Sequence, residues 1–146
     1  MESDRHHYSS INDCRLIKLP CNVNERGSIA VAQNSSELPF AIKRIFYIYD
    51  IPSDSKRGGH SHYRCEQFII AVSGSFVVKV FDGKDWTEFT LNRPYMGLYI
   101  PAGLWRTLED FSSGSVCLTL CPDSFDEADY VRDIEKFKDL TKHKNQ

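Results

Sequence analysis

Apolar and polar positions alternate in short bursts along most of this chain, and a helical spacing enters only near its end. The stretch Trp86 to Leu91 sets Thr87, Phe89 and Leu91 against Trp86, Glu88 and Thr90, as a strand does across its two faces. β-Branched and aromatic residues crowd residues 40–49 (Ile42, Ile45, Phe46, Tyr47, Ile48, Tyr49), which also favours a strand. Further strands are predicted over 15–19, 28–33, 76–81, 97–100, 104–108 and 115–120, and one long strand over 60–72. Turn residues separate them: Asn22 to Gly27, Asn34-Ser35-Ser36-Glu37, Asp50 to Gly59, Ser73-Gly74-Ser75, Asp82-Gly83 and Asn92-Arg93-Pro94. Strands spaced by about 8–12 residues predict an all-β sandwich or barrel. Over 124–140 the pattern changes. Acids come first (Asp126, Glu127, Asp129) and lysines last (Lys136, Lys138), while Val131, Ile134 and Phe137 recur every third position. That predicts a surface helix with one packed stripe, carrying Tyr130-Val131-Arg132 along its length.

At 146 residues the chain suits one domain, expected over 13–140, with 1–12 and 141–146 as tails; His6-His7 is part of the first tail. A hydrophobic share of 41% beside 26% charged residues is that of a globular protein. A formal net charge of −2 gives no electrostatic case for a nucleic-acid partner. No apolar run approaches the roughly 18 residues of a membrane span, and the polar start lacks a secretory core, so a cytoplasmic location is expected. Five cysteines without a CxxC pair read as free thiols in a reducing compartment, with Cys117 and Cys121 as small core residues on one strand face.

The candidate chemistry starts at Arg57-Gly58-Gly59-His60-Ser61-His62. Residues i and i+2 of a strand share a face, so both imidazoles are expected to enter one cavity, with Glu66 in phase. His60-x-His62 with Glu66, read with Gly97-x-x-x-Pro101-x-Gly103-x-x-Arg106, resembles the two signature motifs of the cupin superfamily. The resemblance implies a jelly roll with a C-terminal helix, its ligands pointing into the barrel mouth. Metal-binding cupins place a third histidine where this chain has Arg106. A guanidinium donates only and stays charged, so no metal is expected. Imidazole titrates near about 6.5 and can act as a base, while Arg106 would disfavour imidazolium and stabilise a developing oxyanion. Base plus oxyanion stabiliser is equipment for keto–enol chemistry.

Four stretches are similar to the sugar 3,4-ketoisomerases acting on dTDP-4-keto-6-deoxyglucose. They are Glu25-Arg26-Gly27-Ser28, Lys43 to Asp50, Arg57 to His62, and Gly97 to Trp105; the tail Phe125 to Arg132 looks like that family's C-terminal segment. The resemblance implies a metal-independent isomerase with no cofactor. His60, His62 and Arg106 would be catalytic, and Arg26, Tyr47, Arg57 and Trp105 substrate-binding, with Phe46 or Tyr49 as alternatives to Tyr47. It also implies a homodimer exchanging the strand Cys14 to Leu19, and a product consumed in making an amino sugar for a surface polysaccharide. The chain differs from many members at Arg106, often histidine, and at Gly59, often aromatic, a change expected to enlarge the pocket. A 3- or 3,5-epimerase on the same substrate, a non-catalytic sugar-nucleotide binder and a metal-dependent cupin are the rival readings.

Overall fold

The computed structural model describes residues 8–34 and 37–142, and it folds the alternating segments into two facing five-stranded sheets. In chain order the strands are β1 (Arg15–Lys18), β2 (Cys21–Asn22), β3 (Ile29–Ala30), β4 (Arg44–Ile48), β5 (Arg57–His62), β6 (Gln67–Ser73), β7 (Phe76–Phe81), β8 (Trp86–Leu91), β9 (Met96–Ile100), β10 (Trp105–Glu109), β11 (Val116–Cys121) and β12 (Tyr130–Val131), followed by helix α1 (Ile134–Thr141). One sheet runs β1-β9-β6-β11-β4, the other β12-β5-β10-β7-β8, and β2-β3 make a small hairpin. This is the all-β jelly roll with a C-terminal helix that the sequence predicts.

Alternation decides which side chains enter the barrel. Ile69 and Ala71 of β6, Val78 and Val80 of β7, Leu98 and Ile100 of β9, Leu104 and Leu108 around β10 and Cys117 of β11 form the core between the sheets. The opposite faces are covered separately. Phe68, Ile70 and Leu120 pack under Leu19, Leu38 and Phe40, and α1 sets Phe137 against Phe81, Trp105 and Val131.

Three expectations change. The long strand over 60–72 is two strands in different sheets. Between them, the backbone N–H groups of Arg64 and Cys65 donate to the Asp129 carboxylate, and that of Tyr63 to the Asp129 carbonyl. The bend resets the phase, so even-numbered His60 and His62 face inward before it and odd-numbered Gln67 and Ile69 after it. The helix predicted over 124–140 is only its last half. Asp126 caps a short 3-10 turn at Glu127–Asp129, and Tyr130–Val131 is drawn into pairing with His62 and Ser61 of β5. Backbone pairing beside an open strand edge outweighed a weak helical period. The strand expected over 28–33 shrinks to Ile29–Ala30.

Of the tail expected over 1–12, residues 8–12 are docked. Ser9 donates to the Ala102 carbonyl at 2.8 Å and the Tyr8 hydroxyl to the Leu140 carbonyl at 2.9 Å, while Ser10 and Asp13 form a capping box. Residues 1–7, with His6-His7, and 143–146 lie outside the described residues. No described helix is long and apolar enough to cross a membrane.

Gly97 of β9 lies against the ring of Phe68, where a Cβ would be driven into the aromatic carbons. Phe68 is fully buried and cannot swing away. Gly97→Ala is therefore expected to cost about 1–3 kcal/mol in a urea titration, with the same slope against denaturant.

Candidate active site

One end of the barrel encloses a cavity of about 230 Å³, lined by Phe46, Arg57, His60, Gln67, Arg106 and Tyr130 among others. Its geometry follows from the register of β5 against β10. Arg106 stands opposite His60, but Leu108 stands opposite Arg57, so β5 carries one extra residue between the pairs. The extra residue is a β-bulge at Gly58, whose φ is +74°. Simple alternation from His60 would turn Arg57 to the outside. The bulge returns it to the face shared by His60, Arg106 and Leu108, so its charge joins the cavity.

The imidazoles do share a face, in sequence rather than side by side. His60 lines the cavity, whereas His62 is wholly buried behind it. Their Nε2 atoms are 3.1 Å apart, and His62 Nδ1 is 3.0 Å from Asp129 Oδ2. An ionised carboxylate only accepts, so His62 donates its Nδ1 proton to Asp129. Its Nε2 then carries the lone pair, and His60 donates Nε2–H to it. Burial works against the Asp129 anion. The His62 hydrogen bond and the N–H groups of Arg64 and Cys65 outweigh it and hold the carboxyl below its usual range. Tyr130 stacks beside both rings, its centroid 5.2 Å from His60 and 4.4 Å from His62. Arg132 lies over Tyr130 at 4.2 Å and is held by both oxygens of Glu127.

Arg106 is buried at the floor. Its Nη1 donates to Gln67 Oε1 at 2.7 Å and its Nη2 to the Leu104 carbonyl at 3.0 Å; its buried Nε–H has no partner among the described residues. Burial pushes its pKa down to about 10, which still leaves it charged at neutral pH. Burial, then Arg106 and His62, push His60 down to about 2. Burial pushes His62 down to about 4, against the opposing Asp129 hydrogen bond. Both imidazoles are neutral at pH 7 and available as bases.

Four of the residues expected at the site do not line this cavity. Tyr47 is 60% exposed on the outer face of β4, and its neighbours Phe46 and Ile48 line the cavity. Trp105 points outward into the cluster with Phe81, Val131 and Phe137. Arg26 is exposed in the turn between β2 and β3 and does not line this cavity. Glu66 is thrown out of phase by the bend and accepts from Tyr99 at 3.2 Å. Gly59 also reads differently, since a Cβ there would meet Trp105 at 3.4 Å on the outer face, so its lack of a side chain does not enlarge the cavity.

The donor set does not fit a cavity metal. Glu66 has left the face, and a guanidinium stands in the third-ligand place. His62, Cys65 and Asp129 do bring ligand atoms within 4.8 Å of one another. Their carboxylate, however, is already filled by one imidazole and two backbone donors.

Asp129, Tyr130, Arg132 and Gln67 are the site residues that sequence reasoning passed over. The resemblance of the tail pointed at the first three, but the helical period placed them on a surface. Gln67 follows the unrecognised bend.

Fold and site together define a cupin-type barrel whose cavity joins neutral imidazoles to a buried guanidinium. The profile of the family described as "FdtA: WxcM-like, C-terminal" matches residues 12–142, and the chain belongs to that family, as an isomerase of the sugar 3,4-ketoisomerase type. The TDP-4-oxo-6-deoxy-alpha-D-glucose-3,4-oxoisomerase of Aneurinibacillus thermoaerophilus is 38% identical over 124 residues, covering 85% of this chain and 89% of the relative. A 3,4-ketoisomerase from Helicobacter canadensis superposes with a TM-score of 0.84 at 38% identity, over 88% of this chain and 96% of that one. QdtA, a sugar 3,4-ketoisomerase from Thermoanaerobacterium thermosaccharolyticum solved with TDP, superposes at 0.89 and 31% identity, over 94% of this chain and all (100%) of that one.

Two measurements test this geometry. A histidine kept neutral by the fold has a folded pKa below its unfolded value of about 6.5. The unfolded chain then binds more protons in the window between, so the stabilising contribution is full above about 6.5 and is lost as pH falls toward the folded values. Unfolding free energy is expected to drop between about pH 6.5 and the His62 value of about 4, and His62→Asn to flatten that slope. Gly58→Ala places a side chain at positive φ with its Cβ 3.3 Å from Leu108 Cγ. It is expected to cost about 1–2 kcal/mol and, by turning Arg57 away, to weaken TDP binding in calorimetry.

Proposed function

We propose that this chain isomerises a dTDP-linked 4-keto-6-deoxyhexose to its 3-keto isomer, by metal-independent acid–base catalysis through an enediolate. The observation that carries this reading is the hydrogen-bonded line Asp129–His62–His60, ending in a cavity floored by a buried guanidinium. The names of the relatives supply the substrate class.

His60 takes the C3 proton while its Nε2 proton passes to His62, where Asp129 stabilises the imidazolium. The electron pair moves through C3–C4 onto O4, where Arg106 offers an unpaired Nε–H and a charge. A proton then returns to C4, O3 gives up its proton as the C3 ketone forms, and O4 takes one. Arg57 fits the diphosphate, for which a guanidinium offers paired donors. Phe46 and Tyr130 give apolar walls to the sugar.

The same proposal includes a homodimer. β4 exposes Ile45 and Tyr47 on the outer face of its sheet, with Tyr49 just beyond it, an apolar patch that a second copy would cover. Arg26 has no place in the cavity of its own chain, and on this reading it serves across the dimer. Five free cysteines suit the cytoplasm.

Proton NMR of TDP-4-keto-6-deoxyglucose with the pure protein in deuterated buffer tests the reaction. A 3-keto species with deuterium at C4 is expected. Exchange at C3 or C5 without ketone migration would instead mean an epimerase, and TDP binding without exchange a binding protein. His60→Asn is expected to keep the fold and lose on the order of 10²–10⁴-fold in kcat; near-native turnover would sink the assignment of the base.

A further inference from the structure

The barrel end behind Arg106 holds a cysteine that the isomerase reading does not use. Cys121 closes β11 and is wholly buried. Donors converge on its sulfur from two strands. Arg44 Nη2 donates from β4 at 3.5 Å, and Gln67 Nε2 from β6 at 3.6 Å. The Cys65 thiol nearby donates to the Glu66 carbonyl at 3.3 Å. The Gln67 amide cannot turn its oxygen to Cys121, because that oxygen accepts from Arg106 Nη1 at 2.7 Å. A thiolate is a stronger acceptor than a thiol for both donors, one of them a guanidinium.

The charge balance points the same way. Arg106 is a buried cation that forms no ion pair among the described residues, and a buried charge without a counter-charge is strongly disfavoured. We infer that Cys121 is held as a thiolate, and that it is the counter-ion of Arg44 and Arg106, acting through Gln67 to fix the Arg106 guanidinium under His60. Cys121 is then a positioning residue, two hydrogen bonds from the Arg106 guanidinium. The neighbouring Cys65, with Arg44 and Gln67, holds Cys121 below the ordinary thiol range against its burial, and is itself driven up.

The charged and titratable groups around Cys121 are Arg44 on β4, Cys65 and Asp129 at the bend, Arg106 on β10, Tyr130 on β12 and Asp123 in its own loop. The histidines titrate lower, at about 2 and about 4. Protonation of Cys121 is the event that undoes this arrangement as pH falls. It removes the counter-ion, frees Gln67 and lets Arg106 drift, so kcat falls through the thiolate's own midpoint.

The test has an optical and a kinetic arm, and only the kinetic arm rests on the isomerase reading. Thiolate absorbance near ultraviolet wavelengths is titrated on the full chain and on Cys121→Ser. A difference signal with a midpoint well below the ~8.5 of a free thiol is expected; a midpoint at or above that value overturns the inference. With TDP-4-keto-6-deoxyglucose, Cys121→Ser is expected to lose on the order of 10- to 100-fold in kcat with KM little changed, and to lose the acid limb that tracks the thiolate. Cys121→Asp, which restores an anion, is expected to recover much of kcat. Gln67→Leu cuts the link while leaving the sulfur in place, and is expected to keep a thiolate signal, its midpoint raised by the lost donor, and to show the same kcat loss. An unaltered kcat and pH profile in both Cys121→Ser and Gln67→Leu overturns the positioning role. A low thiolate midpoint in a wild-type chain without isomerase turnover sinks the isomerase reading and upholds the thiolate.

Discussion

A permanent positive charge is buried at the centre of this barrel, and the surrounding structure is arranged to tolerate it. Removing a guanidinium from water costs several kcal/mol even after relaxation. Arg106 recovers part of that from the Gln67 amide and the Leu104 carbonyl, and keeps its charge. The charge then acts on everything nearby. It helps keep His60 and His62 unprotonated, which makes them bases at neutral pH, and it leaves the cavity in need of an anion. A metal ion would meet repulsion where an enediolate would meet stabilisation.

The second constraint is the bend at residues 63–66. It carries the chain from one sheet to the other, and Asp129 holds it by accepting from two successive backbone N–H groups. The same carboxylate orients His62. Folding and acid–base chemistry therefore depend on one side chain. The bulge at Gly58 is the counterpart on the other side of the imidazoles, where one extra residue turns Arg57 into the cavity.

Alternation and turn residues were enough to read most strands, since period-2 patterning is what a two-faced sheet demands. They also put His60 and His62 on one face. What escaped was each place where the backbone changes phase. Glu66 was counted as inward because nothing local in Tyr63-Arg64-Cys65-Glu66 marks a bend; the partner that makes it, Asp129, lies 64 residues further on from Cys65. Tyr47 and Trp105 were assigned to the pocket from resemblance, but adjacent residues on a strand face opposite ways. Of the three candidates on β4 and its end, Phe46 is the one that lines the cavity. The tail was misread because its apolar stripe does dock, with Val131 reaching the same cluster from a strand instead of a helix. Local spacing records which side chains are buried more faithfully than it records the backbone that buries them.

The contact between Asp129 and His62 joins residues 67 positions apart, and it orders events during synthesis. β5, β6 and the strands through β11 emerge from the ribosome before Asp129 does, so they can pair while the bend is still unsupported. In that interval His62 has no acceptor for its Nδ1 proton and the cavity lacks the wall made by Tyr130. The acceptor for His62 and the Tyr130 wall thus come from the last-made stretch of the domain.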